Sequence, residues 1–482
     1  MSNNGYRPGL VLLLVAAALA SFVAGRTVHS RLQKKECEPR LSERGWTLII
    51  GSVGVLMVGV TGFFAWWGAY LTTWDSQLIK WAAFEPSRNF TPYLVDYFSR
   101  YPNNHAVLML GRIARQGGRI GLDYEAAFAL INTAALALAG VAMVATVRIL
   151  AGPRRALAAL VALFVLVGLS PWVSVPYTDM PAIWIPMVAV FLFVLWIRAE
   201  RKSQRVLAAL GYGAVLAIGY VLKVTPVVGM VSVLLALLVA GNRHPIFRTR
   251  RLRLVFVALS VIAFLVTVRL TTVTSTAVAD LPPLDTSVSA VPLAYVAAGI
   301  RLQHSASGRP IYGGFDQKVN GYTWKKPHAV QNRVSRQFID QALSERGPVG
   351  TARFMTSKML FNWGDGMFWA RGEGQDEKSP LLRHGWQADL VAAVNAPNGV
   401  GYATHVHVAQ ALWILLLISA AWGLLTGRCR QEVLLMALTI AGIAAFTLVF
   451  QGRSRYLLGH APVMIALALT VLPIRRLGRG SR

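Results

Sequence analysis

Long runs of uncharged apolar residues are the feature of this sequence that most restricts its fold. Residues 183–196 and 207–222 are two examples, with no charged side chain and no alternation of apolar and polar positions. In the hydrocarbon of a bilayer every backbone amide must bond within the protein, so spanning segments are helices or closed barrels. Barrel strands are short and alternate in polarity. These runs therefore predict transmembrane helices.

The composition agrees with a membrane protein. Hydrophobic residues make up 55% of the 482 residues and charged residues only 14%, whereas a soluble domain carries about 25% charged residues. We predict an all-α polytopic membrane protein with about eleven transmembrane helices. The predicted spans are residues 9–25, 46–72, 126–149, 156–171, 181–197, 206–222, 226–240, 253–272, 406–426, 431–450 and 456–474.

The net charge of +27 lies in short basic clusters between the apolar runs. Lys and Arg enriched in alternate loops mark the cytoplasmic side of a membrane protein. This pattern argues against nucleic-acid binding and places the C-terminus in the cytoplasm. With the excess of Arg over Lys, it favours a multi-pass protein of the plasma membrane, specifically a bacterial inner membrane. The clusters are residues 26–44, 154–155, 198–205, 243–253, 428–430 and 475–482.

The same sidedness divides the chain. Residues 1–45 are predicted to be an anchor helix and a basic cytoplasmic loop; the first apolar run resembles a signal peptide, but its main basic cluster follows the run instead of preceding it. Residues 46–272 form the membrane core, with an outer loop at 73–124 that contains an amphipathic interfacial helix near 106–113. Residues 273–404, roughly 130 residues, form an extracytoplasmic segment before the last three spans. Residues 405–482 supply the C-terminal helices and a basic tail.

Two acidic residues are predicted at the outer ends of helices. Asp75 follows the second predicted span, residues 46–72, and Asp179 lies between two later spans. Each has an ordinary interpretation as a residue that begins a helix. Together at one level of the membrane, they are candidates for a general base toward an acceptor hydroxyl, or for ligands of a divalent cation such as Mg²⁺ or Mn²⁺.

Cationic residues are predicted at the same level. Arg453 and Arg455, followed by Tyr456, lie in an outer turn and so break the positive-inside pattern. A phosphate is a natural partner for them, because the guanidinium fork binds it through two hydrogen bonds. Lys223 ends an apolar run on the same side, where a lysine extending from a helix end to water is an equally good interpretation.

Two further motifs carry polar and aromatic residues. The turn Tyr101-Pro102-Asn103-Asn104-His105 precedes the amphipathic helix and supplies candidate substrate-binding side chains. Residues 361–366 with Trp369 combine aromatic, amide and acidic groups, which suit contacts to a sugar or a docking loop equally well.

The order of these parts resembles the GT-C superfamily of membrane glycosyltransferases, which includes the protein O-mannosyltransferases, the aminoarabinose transferases and the PIG-V-like mannosyltransferases. The matching features are Asp75, the Pro-containing turn at 101–105, the acid-bearing turn around Asp179, the long outer segment and the late Arg455-Tyr456-Leu457 sequence. The chain departs from the O-mannosyltransferases, because Ser76 follows Asp75 where they have a second acid, and Asn103-Asn104 replaces their His-Pro-Pro turn.

The resemblance implies an inverting transferase that moves a sugar from a polyprenyl-phosphate donor to a hydroxyl of a cell-envelope glycan, lipid or protein outside the membrane. It implies that Asp75 is the catalytic acid-base residue and that Asp179 is its partner or a metal ligand. Arg453, Arg455 and, more weakly, Lys223 would contact the donor phosphate. Tyr101, Asn103, Asn104, His105 and Tyr456 complete the predicted substrate site.

Three alternatives remain open from the sequence. A lipid or polysaccharide transporter would also be polytopic, but it should bury polar residues in the middle of the bundle. An enzyme like the O-antigen ligases or polymerases would also have a long outer loop with arginines, and would use polyprenyl diphosphate donors. A non-enzymatic scaffold would not require polar clusters on one face.

Overall fold

The protein is described by a computed structural model that covers residues 5–32, 41–239, 249–305, 308–370, 379–427 and 430–472. The prediction of an all-α membrane protein is confirmed: the described residues are mostly helical, with one two-stranded sheet. The basic C-terminal tail beyond residue 472 and part of the cluster at 243–253 lie outside the described residues.

The helices in chain order are α1 (Pro8–Leu32), α2 (Glu43–Trp67), α3 (Asp75–Phe84), α4 (Pro92–Arg100), α5 (His105–Gln116), α6 (Tyr124–Ala151), α7 (Pro153–Leu163), α8 (Ile185–Arg198), α9 (Lys202–Leu222), α10 (Val228–Val239), α11 (Arg250–Ala279), α12 (Pro292–Gly299), α13 (Gln317–Thr323), α14 (His328–Trp363), α15 (Trp386–Asn395), α16 (Tyr402–Thr426), α17 (Gln431–Val449), α18 (Arg455–Leu458) and α19 (Ala461–Val471). The strands β1 (Leu302–His304) and β2 (Pro310–Tyr312) form an antiparallel hairpin.

Six of the described helices are long and apolar enough to cross a membrane, namely α2, α6, α9, α11, α16 and α17. Each coincides with a predicted span. Four other predicted spans correspond to shorter apolar stretches of α1, α8, α10 and α19. The helix α11 continues past the predicted end of its span at residue 272 and ends at Ala279, where Asp280 takes a left-handed conformation with φ 48°.

The predicted span 156–171 is not one regular α-helix. α7 ends at Leu163 and continues as one π-helical turn, Phe164–Gly168, before a 3₁₀ turn at Pro171–Ser174. α2 passes close to this turn and leaves room only for glycine there: a Cβ on Gly168 would lie 2.7 Å from Thr61 Oγ1. The change of path directs the following loop, which contains Asp179, across the end of the bundle.

Small residues allow the helices to pack closely, as is usual in membrane bundles. α9 and α11 meet at Gly213, where an added Cβ would lie 2.0 Å from the Ser260 carbonyl oxygen. Ser260 Oγ in turn donates to the Ala209 carbonyl at 3.0 Å. The contact therefore joins the two backbones almost directly.

The connections that carry the candidate residues meet at one end of the bundle, which we call the site end. It comprises residues 68–123, 175–184, 223–227, 280–305, 308–370, 379–401 and 450–460. The opposite end is held by other contacts, among them an ion pair of 2.6 Å between Arg148 and Glu43. The N-terminus of α6 thus lies at the site end and its C-terminus, near Arg148, at the opposite end of the bundle, as a spanning helix requires.

The loop between α2 and α6 folds into short helices at the site end. The predicted amphipathic helix is present as α5, and its buried Arg112 donates to the carbonyl oxygens of Ala83 at 3.0 Å and Ala279 at 3.3 Å. These bonds satisfy carbonyls at the C-terminal ends of α3 and α11, where cationic side chains are favoured. Arg112 therefore ties three elements together.

The segment 273–404 packs onto the same end through the hairpin and α12–α15. α14 is broken at Gly347, which has φ 62° and precedes Pro348. Lys358 in its second half is fully buried, and its ammonium donates to the carbonyl oxygens of Gly299, Leu448 and Phe450 at 2.6–2.9 Å. This lysine fixes the C-terminal end of α17, and with it the start of the turn that carries Arg453 and Arg455.

Candidate functional site

A cavity of about 480 Å³ opens at the site end. It lies where α3, α4, the loop after α7, the start of α13 and the turn before α18 come together. The side chains that carry its chemistry are Asp75, Asn104, Tyr177, Arg453 and Arg455. Residues separated by up to about 380 positions in sequence therefore share one cavity.

Asp75 is the first residue of α3, directly after Trp74, whose backbone is extended. The Tyr177 hydroxyl lies 3.3 Å from Asp75 Oδ2 and 3.2 Å from Asn104 Oδ1. Asn104 Nδ2 donates to the Tyr97 hydroxyl at 2.6 Å. Burial raises the pKa of the Asp75 carboxyl above its ordinary value, and Arg455 and the hydrogen bonds of Tyr97 and Tyr177 oppose that shift. A carboxylate with a raised pKa is a better proton acceptor than an exposed one.

Asp179 and Lys223 form an ion pair beside the cavity, through Asp179 Oδ1 and Lys223 Nζ. Only 2% of the Asp179 side chain and 11% of the Lys223 side chain are exposed. Lys223 directly follows the C-terminal end of α9, a position where a helix favours positive charge. Burial lowers the pKa of Lys223, and Asp179 opposes that shift.

Arg455 interacts electrostatically with both carboxylates. Its guanidinium carbon is 5.1 Å from the ring centre of Trp74, 5.6 Å from that of Tyr456 and 5.8 Å from that of Tyr177. Burial alone would lower the pKa of Arg455, but Asp179 and, less strongly, Asp75 raise it above its ordinary value. Arg455 is therefore a permanent positive charge beside Asp75.

Arg453 reaches the cavity from the same turn. The turn is fixed by backbone bonds from Gln451 to Tyr295, at 2.7 Å, and from Gly452 to Gly313, at 2.9 Å. The Arg453 guanidinium carbon lies 5.3 Å from the ring centre of Trp369. Two guanidinium groups thus enter one cavity from positions two residues apart.

Asp365 organises the residues around this turn. It is fully buried and accepts from the Ser454 hydroxyl at 2.8 Å, from the Trp369 amide at 2.7 Å and from the Tyr6 hydroxyl at 2.6 Å. Phe368 and Trp369 both have positive φ, an uncommon conformation for residues other than glycine. Since Ser454 lies between Arg453 and Arg455, Asp365 positions the arginine turn. In the motif at residues 361–366, Phe361, Asn362, Asp365 and Gly366 are buried, while Gly364 is exposed.

The predicted substrate residues take different places. Tyr101, Asn103, Asn104, Arg453, Arg455 and Tyr456 line the cavity together with Asp75. His105, Asp179 and Lys223 are not among its described lining residues. The His105 ring nitrogen Nε2 lies 3.1 Å from the Phe98 carbonyl oxygen, and burial lowers the pKa of this imidazole.

Several cavity residues escaped the sequence analysis, namely Tyr97, Arg100, Tyr177, Tyr295 and Trp324. Tyr177 lies two residues before Asp179, so an aromatic residue in an acid-bearing turn was a usable signal. Tyr97 and Arg100 lie on one face of α4, where the spacing of three is a helical signal. The sequence around Tyr295 and Trp324 carries no comparable sign.

The model of a protein family described as "Conserved hypothetical integral membrane protein" matches residues 8–474. The chain belongs to this family. Membership establishes that the chain is an integral membrane protein, in agreement with its apolar helices. No curated protein sequence matches the chain.

Among solved structures, the chain is similar to the archaeal oligosaccharyltransferase AglB from Archaeoglobus fulgidus, in complex with an inhibitory peptide and a dolichol-phosphate. The TM-score is 0.42 and the sequence identity 13%, over 87% of this chain and 50% of that chain. The family member described here thus spans half the length of AglB. A likeness at this level carries no argument about activity.

The donor set does not suit a dedicated divalent-cation site. Among the described residues, no group of three or more His, Cys, Asp or Glu side chains is arranged to hold a metal ion. Asp179 is already paired with Lys223, and Arg455 lies close to both carboxylates. A cation such as Mg²⁺ would have to displace the positive groups of Lys223 and Arg455 from the two carboxylates.

Proposed function

We propose that this membrane protein is a glycosyltransferase that moves a sugar from a polyprenyl-phosphate donor to a hydroxyl group of an acceptor. One observation carries the proposal: a carboxylate with a raised pKa and two arginines converge in one cavity at the end of an apolar helix bundle. In this proposal the site end faces away from the cytoplasm, as the distribution of basic loops predicts.

The arginines would bind the donor phosphate. Arg453 and Arg455 present planar, permanently charged groups that match phosphate oxygens. A donor lipid would lie in the bilayer along the apolar helices, with its head group at the cavity. As the bond between the anomeric carbon and the phosphate oxygen breaks, negative charge accumulates on the phosphate, and the guanidinium groups stabilise it there.

Asp75 would act as the general base. The acceptor oxygen attacks the anomeric carbon as the phosphate leaves, and the acceptor proton passes to the Asp75 carboxylate. The products are the glycosylated acceptor and the polyprenyl phosphate. A single displacement of this kind inverts the configuration at the anomeric carbon. Tyr177 and Tyr97 hold the carboxylate in place through their hydrogen bonds.

Asp179 and Lys223 would have a supporting role in this mechanism. Their buried pair places a second negative charge beside Arg455 and so keeps that guanidinium charged and oriented. Neither side chain needs to touch the substrate. The reaction then requires no divalent cation, because Arg453 and Arg455 supply the charge that a metal would provide.

The test is sugar transfer by the purified protein in lipid nanodiscs. Donors with radiolabelled sugar on polyprenyl phosphate or on polyprenyl diphosphate are incubated with a membrane extract, and label in the product is counted. We expect transfer from the monophosphate donors and a loss of about 10²–10⁴-fold in Asp75→Asn. Asp340→Asn is the matched control, because Asp340 is exposed on α14.

Two results would contradict the proposal. Transfer only from diphosphate donors would indicate the ligase or polymerase alternative. Transfer that is equal in wild type and Asp75→Asn, or absent with every donor and extract, would remove the proposed reaction itself.

A further inference from the structure

The opening of the cavity carries a cluster of aromatic side chains, Tyr93, Tyr101 and Trp324, which we call the aromatic platform. The ring centres of Tyr93 and Trp324 are 6.4 Å apart with an angle of 21° between planes, and those of Tyr101 and Trp324 are 6.2 Å apart. Tyr93 is 54% exposed although it lines the cavity. The Tyr93 ring is therefore accessible, with the half-buried rings of Tyr101 and Trp324 beside it.

Hydrogen bonds of Arg100 hold the platform in place. Arg100 is buried, and its guanidinium donates to Thr323 Oγ1 at 2.6 Å, to the Thr323 carbonyl at 3.0 Å and to Gln331 Oε1 at 2.8 Å. These bonds fix Thr323, and hence Trp324, against the end of α4. The site is therefore organised before any ligand arrives, which reduces the entropy cost of binding.

Two amides beside the rings have unused hydrogen-bonding atoms. Asn320 Oδ1 accepts from the Tyr101 hydroxyl at 2.9 Å, while its Nδ2 donates to no described residue. Asn103 Nδ2 donates to Asn104 Oδ1 at 3.1 Å, while Asn103 Oδ1 accepts from none of the described groups. Both asparagines line the cavity. One donor and one acceptor thus remain for a ligand.

The charged side chains around the platform have partners within the protein: Arg100 bonds to the neutral groups of Thr323 and Gln331, and the others form ion pairs. Asp316 binds Arg301 at 2.7 Å, and Lys325, which follows Trp324, binds Asp96 at 2.5 Å. The described surroundings therefore favour a neutral ligand. Flat rings combined with amide donors and acceptors match a compound that has both C–H faces and hydroxyl groups.

We propose that the aromatic platform binds a neutral saccharide and that the acceptor of the transfer reaction is therefore a glycan. This inference rests on the proposed function. One sugar ring stacks on Trp324, and its hydroxyl groups bond to Asn320 and Asn103. Since the platform and Asp75 line the same cavity, a saccharide held there directs a further hydroxyl toward the base.

The experiment measures binding without any donor. Full-length protein in nanodiscs is mixed with neutral oligosaccharides of envelope type, with a hydroxyl-rich peptide or with the nanodisc lipids alone, and saturation transfer to ligand protons is recorded by NMR. We expect transfer to the oligosaccharide and an affinity about tenfold lower in Trp324→Ala. Trp324→Phe should recover part of the loss.

Trp386→Ala is the matched control, because Trp386 is 69% exposed on α15 and lies outside the described lining of the cavity. Thermal unfolding of each variant checks that it is folded. Binding of the peptide instead of the saccharide, or saccharide binding that is equal in Trp324→Ala and Trp386→Ala, would overturn the inference.

The design separates the two proposals. Saccharide binding is measured without donor, so its outcome does not depend on the transfer step. Sugar transfer without saccharide binding would contradict the saccharide site and support the proposed transferase activity. Saccharide binding at Trp324 without transfer from any donor would support the saccharide site and contradict the proposed transferase activity.

Discussion

Asp179 and Lys223 form an ion pair that is almost completely shielded from solvent, with 2% and 11% of the two side chains exposed. They lie 44 positions apart in sequence. A buried charge that loses its partner is costly, while replacing both partners by neutral groups often is not. Comparing the stability of single and double variants therefore shows whether the pair is needed for the fold.

We therefore expect Lys223→Met to lower the free energy of unfolding by about 3 kcal/mol, the low end for a broken buried pair, because Arg455 remains near Asp179. The double variant Asp179→Asn with Lys223→Met should recover most of this loss. Thermal unfolding in detergent measures both. Arg148→Met, which breaks an ion pair whose Glu43 side chain is 78% exposed, is the control. A double variant as unstable as the single one would contradict this account.

The pH dependence of transfer should reflect Asp75. The base is active when deprotonated, so the rate rises with pH through the pKa of Asp75, which burial raises above 3.8. Tyr177→Phe removes a hydrogen bond that lowers this pKa. The acidic limb of the pH–rate profile should therefore move to higher pH in Tyr177→Phe. A limb that stays in place or moves to lower pH would assign the titration to another group.

The arginines should act on donor binding. Arg453→Gln and Arg455→Gln are each expected to raise the KM for the polyprenyl-phosphate donor by about tenfold or more, because each removes a charge-assisted bond to phosphate. Steady-state kinetics at varied donor concentration measures this. Arg309→Gln, an exposed arginine on the hairpin, should leave the KM unchanged. An unchanged donor KM in both cavity variants would show that these two arginines do not bind the donor phosphate.

The contact between α9 and α11 gives a stability prediction that is independent of function. Gly213→Ala places a methyl group 2.0 Å from the Ser260 carbonyl oxygen, and the backbones must separate. Overpacking of this kind costs about 1–3 kcal/mol. Gly211→Ala, whose added Cβ would lie 3.4 Å from a Leu192 side chain, should cost far less. The midpoints of thermal unfolding of the two variants make the comparison, and equal midpoints would refute the close contact.

The sequence was sufficient to predict most spanning helices, because hydropathy reports how well a residue tolerates lipid, which is a local property. It was not sufficient for helix ends. The last turn and a half of α11 is rich in Ser and Thr, yet the helix continues to Ala279, where Arg112 binds its terminal carbonyl. It also missed the π-helical turn after α7, where Gly168 lies against Thr61 of α2.

The candidate site divides in the same way. The sidedness of the loops, a local signal, brings Asp75 and Arg455 to one end of the bundle. The orientation of each side chain depends on its neighbours in the fold, so it cannot be predicted from a local turn motif. His105 contacts the Phe98 carbonyl, and Tyr177 reaches Asp75 across 102 positions of sequence. Such pairings follow from tertiary packing alone.

The bond from the Tyr6 hydroxyl to Asp365 has a consequence for the beginning of the polypeptide. The same carboxylate accepts from the Ser454 hydroxyl, so the residues just before α1 and the arginine turn bond to one side chain. Shortening the protein from its N-terminus would take a proton donor away from that side chain, some 360 positions away in sequence. Cleavage that removes Tyr6 would therefore take one hydrogen bond from the carboxylate that positions Arg453 and Arg455.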